Sequence, residues 1–342
     1  MTFSINNTQI GPGQPAYIIA EGCDNHLGDL DVAREMVIQA KRAGADAIKF
    51  QHHLADQEML PGGPTSDNFG EPLYDFLLKY ALTLDQHVAL KQFCDHTGIT
   101  YLCTPFSWAA ALELDGAIDM PGYKIGSGEM TDIPSLKRIA GLGKPMIIST
   151  GMSTYDEIER TYQALTGSGT PLALLNCVSE YPPHYKDLNI DVLSEMISRY
   201  PQAIIGHSDH TPDLYTCFAA VTLGAALIEK HVILDKAQKG PDQSVSIDFD
   251  DLAELVDGIR KIEASRGTDR SVHDREQAIR TWAFRSLVST QDISAGTRIT
   301  QDMVWSKRPG TGIPSHRMDE VIGRTAGRDI TANALLAWQD FT

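Results

Sequence analysis

The stretch YIIAEGCDNHLGDLDVAREMVIQAKRAGADAIKFQ (17–51) decides the architecture. It opens on a short apolar run, YIIAE (17–21). Next comes a segment with Val32, Met36, Val37 and Ala40 on one face of a helix over 31–43, which stops at Gly44. It closes on a second apolar run, AIKFQ (47–51). Both runs are apolar nearly throughout, as strands buried on both faces are, so the stretch reads as two strands joined by a crossover helix.

Working outward, the same alternation continues through TYLCTPF (100–106), GYKIGS (122–127), PMIIST (145–150), LALLNCV (172–178), AIIGHSD (203–209) and ALIEKHVI (226–233), eight candidate strands in all. Thr83 is placed to cap one intervening helix, Ser153 to begin another, and Asp248 to Ala264 reads as the last. Eight strand–helix alternations fit an α/β fold of the closed (β/α)8 type better than an open sheet. Asp56 to Tyr80, Pro/Gly-rich and aromatic, reads as an extended loop over the top. The composition then turns polar. The expected organisation is a barrel over 1–264, a linker over 265–281, and a second domain of short strands and turns over 282–342. A core that small is marginal alone, so it is expected to dock on another surface.

With 342 residues and 42% hydrophobic content the chain can bury a large core, yet no apolar run is long enough to cross a membrane. The N-terminus has no basic segment followed by an apolar one, so no signal peptide is expected. Five cysteines without a CxxC pattern suit reduced thiols in a cytoplasm. A net charge of −16 argues against nucleic acid or anionic membrane as partners. An acidic chain that takes an anionic substrate must build a local cationic pocket.

In such barrels the site lies at the C-terminal strand ends. Here the strands deliver Glu21, Lys49 and Gln51, Thr104, Lys124, Ser149, Asn176, the run His207-Ser208-Asp209-His210, and Glu229, Lys230 and His231. A polar or charged residue at every strand end is not what packing alone selects, because buried charge is costly without partners. Lys49, Lys124, Thr104, Ser127, Ser149 and Ser208 suit an anion, with ammonium charges and hydroxyl donors. Glu21, His210 and His231 suit a divalent cation such as Mn²⁺, Co²⁺, Fe²⁺ or Zn²⁺, with His207 a competing ligand. Strand alternation puts His207 and Asp209 on one face and Ser208 and His210 on the other.

The motifs IIAEGCDNHLGD (18–29), AGADAIKFQ (43–51), YLCTPFS (101–107), YKIGSGEM (123–130), GKPMIISTGMS (143–153), SDHT (208–211), LIEKHVILD (227–235) and KGPD (239–242) together resemble the sialic acid synthase family, the phosphoenolpyruvate-dependent nonulosonic acid synthases. FRSLV (284–288), KRPGTGI (307–313) and VIGR (321–324) resemble the antifreeze-protein-like (SAF) domain that closes them. The resemblance implies a TIM barrel followed by a SAF domain in a domain-swapped homodimer. It implies metal-dependent condensation of phosphoenolpyruvate with N-acetylmannosamine or a related amino sugar, the alternatives being a legionaminic- or pseudaminic-type synthase, or a barrel aldolase.

Residue by residue, it assigns phosphoenolpyruvate to Lys49, Thr104, Lys124, Ser127, Ser149 and Ser208, and the metal to His210 and His231, with Mn²⁺ first and Mg²⁺ or Co²⁺ as alternatives. The sugar falls to Gln51, Ser179, Tyr181, Asp242 and, from the partner subunit, Arg308. Glu21, Glu129, Lys124 and Asp242 become the catalytic groups. Gly22-Cys23, Ser179 and Gln243 depart from the family pattern, at positions expected near the sugar.

Overall fold

The computed structural model describes residues 1–63 and 69–342. They form two compact units, Met1–Arg266 and Gly267–Thr342.

The first unit begins with an antiparallel hairpin, β1 (Phe3–Ile5) and β2 (Thr8–Ile10), that sequence reading does not anticipate. The eight expected strands follow: β3 (Tyr17–Glu21), β4 (Ala47–His52), β5 (Thr100–Pro105), β6 (Tyr123–Ile125), β7 (Met146–Ser149), β8 (Leu172–Cys177), β9 (Ile204–Asp209) and β10 (Leu227–His231). They pair in parallel in the order β5-β4-β3-β10-β9-β8-β7-β6. The two end strands, β5 and β6, run beside each other, which closes the cylinder.

Local chemistry sets the helices. The helix Leu30–Ala43 starts where the Asp29 carboxylate accepts from the backbone of Asp31 and Val32, and ends at Gly44 with φ +90, a left-handed turn that glycine adopts freely. Capping boxes, Thr83 with Gln86 and Thr154 with Glu157, open the helices Leu84–Thr97 and Tyr155–Thr166; Thr154 rather than Ser153 is the cap. The Asp248 side chain caps Phe249–Ser265.

Strand alternation divides the core. Ile18, Ala20, Ile48, Tyr101 and Ile148 face outward into the helical layer. Tyr17, Ile19, Ala47, Leu102, Ile147, Ala173, Leu175, Ile204 and Leu227 face inward and pack with Phe3, Ile5 and Ile10, so the hairpin plugs the lower end of the barrel. Gly206 sits inside too: a Cβ there would meet the Leu175 side chain at 2.5 Å and the Leu227 carbonyl at 2.7 Å.

The stretch Asp56–Tyr80 is not one extended loop. It carries the helices Ala55–Glu58 and Leu73–Tyr80, and Phe76 and Leu77 bury against Ala55. The Pro and Gly residues that suggested a loop lie between and before these helices, and residues 64–68 of the stretch fall outside the described residues.

In the second unit, β11 (Ser286–Ser289) pairs antiparallel with β12 (Val304–Lys307) over a core that includes Leu287, Ile293, Ile299, Ile313, Val321 and Leu336. The stretch 265–281 is not simply a linker, because Asp274–Ala283 is helical with no residue buried. Its polar composition reflects exposure of the helix, not absence of one. Among the described residues, no helix is long and apolar enough to cross a membrane.

Candidate active site

The inward alternation that fills the lower barrel with Ile and Leu delivers polar groups higher up. Tyr17 and Ile19 are followed by Glu21, Ala47 by Lys49 and Gln51, Leu102 by Thr104, Ile147 by Ser149, Ala173 and Leu175 by Cys177, and Leu227 by Glu229 and His231. With Lys124 and Ser208 these groups line one cavity of about 420 Å³. A neighbouring cleft of about 500 Å³ has no lysine, arginine or histidine in its wall and is no place for an anion.

Lys49 and Lys124 lie on opposite sides of Glu229, at 3.8 Å and 3.4 Å. Lys49 also pairs with Glu21 and donates to the Thr104 hydroxyl at 3.0 Å. Lys124 donates to the Ser149 hydroxyl at 2.8 Å and the Ile125 carbonyl at 3.1 Å. Ser208 donates to Glu229 at 3.0 Å. Burial lowers the Lys124 pKa, Glu229 opposing, whereas Glu21 and Glu229 outweigh burial at Lys49 and raise it. Burial raises the Glu229 carboxyl but the two lysines pull it below its ordinary value. Lys49 spends two of its three donors on Glu21 and Thr104, whereas Lys124 directs all three at Ser149, the Ile125 carbonyl and Glu229. Ser127 stands at the rim, where its hydroxyl accepts from the Gly151 backbone at 3.0 Å.

Burial raises Glu21 to about 7 although Lys49 opposes the shift; its other oxygen accepts from Gln51 at 3.1 Å and from the Cys23 backbone at 3.0 Å. Burial likewise raises Glu129 to about 7, and Glu129 Oε2 has no hydrogen-bond partner among the described residues. Two carboxyl groups in one cavity thus titrate near neutrality, as proton-transfer groups do.

His210 and His231 stand with ring centroids 5.0 Å apart. His210 Nδ1 donates to the Val178 carbonyl at 2.8 Å, which turns Nε2 toward the cavity, 3.2 Å from the Tyr181 hydroxyl. Tyr181 stacks on the same ring at 4.3 Å. Burial disfavours charge on His210, but the Cys177 sulfur at 3.9 Å and the Val178 carbonyl raise its pKa to about 9. Burial, with His210 next, holds His231 well below its ordinary value and therefore neutral. Its buried Nδ1 has no hydrogen-bond partner among the described residues and lies 3.8 Å from Asp242. An orphaned neutral imidazole beside a carboxylate is a donor set that fits a divalent cation. His207 is excluded from that role. It faces outward, donating to the Asn176 carbonyl at 3.0 Å and pairing with Asp209, itself bound to Lys230.

All the sequence-predicted site residues except Arg308 therefore meet in this cavity: Glu21, Lys49, Gln51, Thr104, Lys124, Ser127, Glu129, Ser149, Ser179, Tyr181, Ser208, His210, His231 and Asp242. Arg308 belongs to the second unit, where its guanidinium lies 5.3 Å from the centre of the Trp282 ring. Of the departures expected near the sugar, Ser179 lines the cavity, whereas Gly22, Cys23 and Gln243 do not; the Gln243 amide donates to the Lys236 carbonyl at 2.7 Å.

Sequence reasoning missed other residues of the wall. Glu229 was visible as an inward strand-end carboxylate but stood outside the predicted site, though it bridges both lysines. His53 follows the end of the second strand in the sequence but takes no role there, and Asp24 stands in the loop after the first, where strand alternation assigns no side. His53 Nδ1 contacts Glu58 at 3.0 Å, its Nε2 contacts Gln51 at 3.1 Å, and its ring stacks on Phe106 at 4.2 Å. Phe69, Leu73 and Leu77 add an apolar lip.

Comparison with known proteins places this geometry. Residues 36–271 match the NeuB family and residues 284–342 the SAF domain. The chain is 32% identical to an N,N'-diacetyllegionaminic acid synthase of Legionella pneumophila over 96% of this chain and 95% of that protein. It is 33% identical to the human N-acetylneuraminate-9-phosphate synthase over 92% and 89%. Among solved structures, an N-acetylneuraminic acid synthetase from Leptospira borgpetersenii, in complex with citrate, superposes with a TM-score of 0.72 at 29% identity, covering 82% of this chain and 95% of that one.

Proposed function

Because the chain belongs to the NeuB family, we propose that it condenses phosphoenolpyruvate and an open-chain amino sugar, with N-acetylmannosamine the first candidate, to a nine-carbon 2-keto acid and phosphate. The observation that carries the reading is the pair of buried lysines in the wall of one cavity that Thr104, Ser127, Ser149 and Ser208 also line. A phosphate and a carboxylate on one small molecule need that many cationic and hydroxyl donors.

Lys49 and Lys124 bind phosphoenolpyruvate and offset its charge while its C3 attacks the sugar aldehyde. Water then adds at C2, and the tetrahedral product loses phosphate. Glu21 or Glu129, both titrating near 7, takes the proton of that water. Gln51, Ser179, Tyr181 and Asp242 orient the sugar. A divalent cation held by His210 and His231 would polarise the aldehyde oxygen.

Arg308 reaches the sugar from the partner subunit of a domain-swapped homodimer. The exposed apolar side chains Ile279, Trp282 and Phe284 on and after the helix Asp274–Ala283 are consistent with such docking. A cytoplasmic setting agrees with five unpaired cysteines. No observation favours the aldolase alternative, which leaves two buried lysines without a phosphate to serve.

The test is phosphate release from phosphoenolpyruvate with a panel of aldoses that includes N-acetylmannosamine and diacetamido-dideoxyhexoses. Release should require both substrates and yield a 2-keto acid three carbons longer than the acceptor. Condensation that proceeds without phosphoenolpyruvate would overturn the proposal.

A further inference from the structure

We propose that Cys23 is a thiolate ligand of the divalent cation, joining His231 on the side of the ion away from His210, with Asp242 a further donor to the ion as well as a neighbour of the sugar, and that this set selects a thiophilic ion such as Zn²⁺, Co²⁺ or Fe²⁺ over Mg²⁺ or Mn²⁺. The proposal rests on the metal-dependent reading given above and adds to it a residue that departs from the family motif.

The turn after β3 brings the thiol in. The Gly22 amide donates to the Lys49 carbonyl at 2.8 Å, and Gly22 lies so close to the Phe50 ring that a Cβ would meet it at 2.8 Å. Asn25 ties the other side of the turn to the Val232 carbonyl at 2.8 Å and the Ser246 hydroxyl at 3.0 Å. Between these anchors Cys23 takes φ +39, a left-handed conformation that non-glycine residues rarely adopt, and is fully buried. The turn is thereby pressed against the end of β10 and the loop that carries Asp242.

One donor atom from each of Cys23, His231 and Asp242 lies within 4.8 Å of the others. Donors around a tetrahedral cation with typical metal–sulfur and metal–nitrogen bonds stand about 3.5 Å apart, so closure needs shifts on the order of 1 Å. The His231 Nδ1 to Asp242 separation of 3.8 Å already approaches that spacing and is too long for a hydrogen bond. Among the described residues Nδ1 itself is buried without a hydrogen-bond partner, which is costly unless a cation takes up its lone pair. A thiolate and a carboxylate together balance the charge of a divalent ion, and sulfur shifts preference toward softer metals. The competing account is that the Cys23 thiol merely donates to the Asp242 carboxylate.

The full-length protein, stripped with chelator and titrated with Co²⁺, separates the two. The wild type should bind Co²⁺ with a near-ultraviolet thiolate-to-cobalt charge-transfer band. C177S should keep the band, although Cys177 lines the cavity with His231 and Asp242. C23S should lose it, retain the weaker visible cobalt bands, and bind at least about tenfold more weakly, as loss of a single ligating or supporting group commonly does. The wild-type spectrum decides the matter even if C23S does not fold. Bound Co²⁺ without the band, or a band that survives in C23S or vanishes in C177S, overturns the proposal. Phosphate release is assayed in parallel. Chelator-sensitive synthesis without the band defeats the Cys23 assignment alone, whereas a band without synthesis defeats the synthase reading alone.

Discussion

Replacing Lys124 with methionine should cripple phosphate release, and the structure sets the size of the effect. The ammonium is buried, held by Ser149 and the Ile125 carbonyl, and 3.4 Å from Glu229. If it stabilises the departing phosphate or the carboxylate, its loss costs about 3–4 kcal/mol in the transition state. At about 1.36 kcal/mol per decade, that is a fall of about two to three decades in kcat/KM.

The same change disturbs the fold, because Glu229 keeps Lys49 at 3.8 Å and Ser208 at 3.0 Å but loses its nearer cation. Breaking a buried pair from one side costs about 3–5 kcal/mol, and the remaining partners point to the lower end. At roughly 2–4 °C per kcal/mol for a domain of this size, Tm should fall by about 6–12 °C. K124M/E229Q removes both charges and should recover most of that loss without recovering activity. Continuous phosphate release and thermal unfolding measure the two effects separately. The reasoning is refuted if K124M stays within tenfold of the wild type, or if the double variant regains turnover.

Two further outcomes are expected. Burial raises Glu129 from its ordinary 4.5 to about 7, so over that window the folded protein holds a proton that the unfolded chain has released. Stability therefore declines as pH rises through the window. E129Q has no such proton, so its Tm should gain on the wild type between pH 4.5 and about 7 and then hold level; a pH-independent difference would contradict the burial argument. R308A should raise the sugar KM by about one to two decades, as loss of a charged hydrogen bond does, while leaving phosphoenolpyruvate binding intact. Mixing R308A with K124M subunits should restore part of the activity if each site draws its arginine from the partner, and no rescue would place Arg308 outside the partner's site.

Much of the first unit was legible because a parallel barrel strand is read by both its faces. Runs such as ALIEKHVI (226–233) stay apolar where they are buried on both sides and turn polar where the inner face, at Glu229 and His231, opens into the cavity. Short continuous apolar runs therefore identified the strands, and alternation along 207–210 gave Ser208 and His207 their opposite faces. The hairpin at Phe3–Ile10 escaped because three-residue strands are too short to show a period. The helices in Asp56–Tyr80 and Asp274–Ala283 escaped because turn-forming or charged composition outweighed short-range pattern.

The sequence by itself determined the barrel, the succession of strand-end groups and the family resemblance, since each depends on residue type and order along one strand or motif. Only the tertiary structure decided how the groups share charge. Glu229 lies between two lysines from strands far apart in the chain, His53 is clamped by Glu58 and Gln51, and Cys23 comes within reach of His231 and Asp242. The distances from Glu229 to the two lysines and from Cys23 to His231 and Asp242 are fixed by closure of the cylinder, and the His53 contacts by the path of its loop, neither of which a local pattern encodes. Their pKa values follow from that closure, because burial and neighbouring charge exist only once the chain has folded.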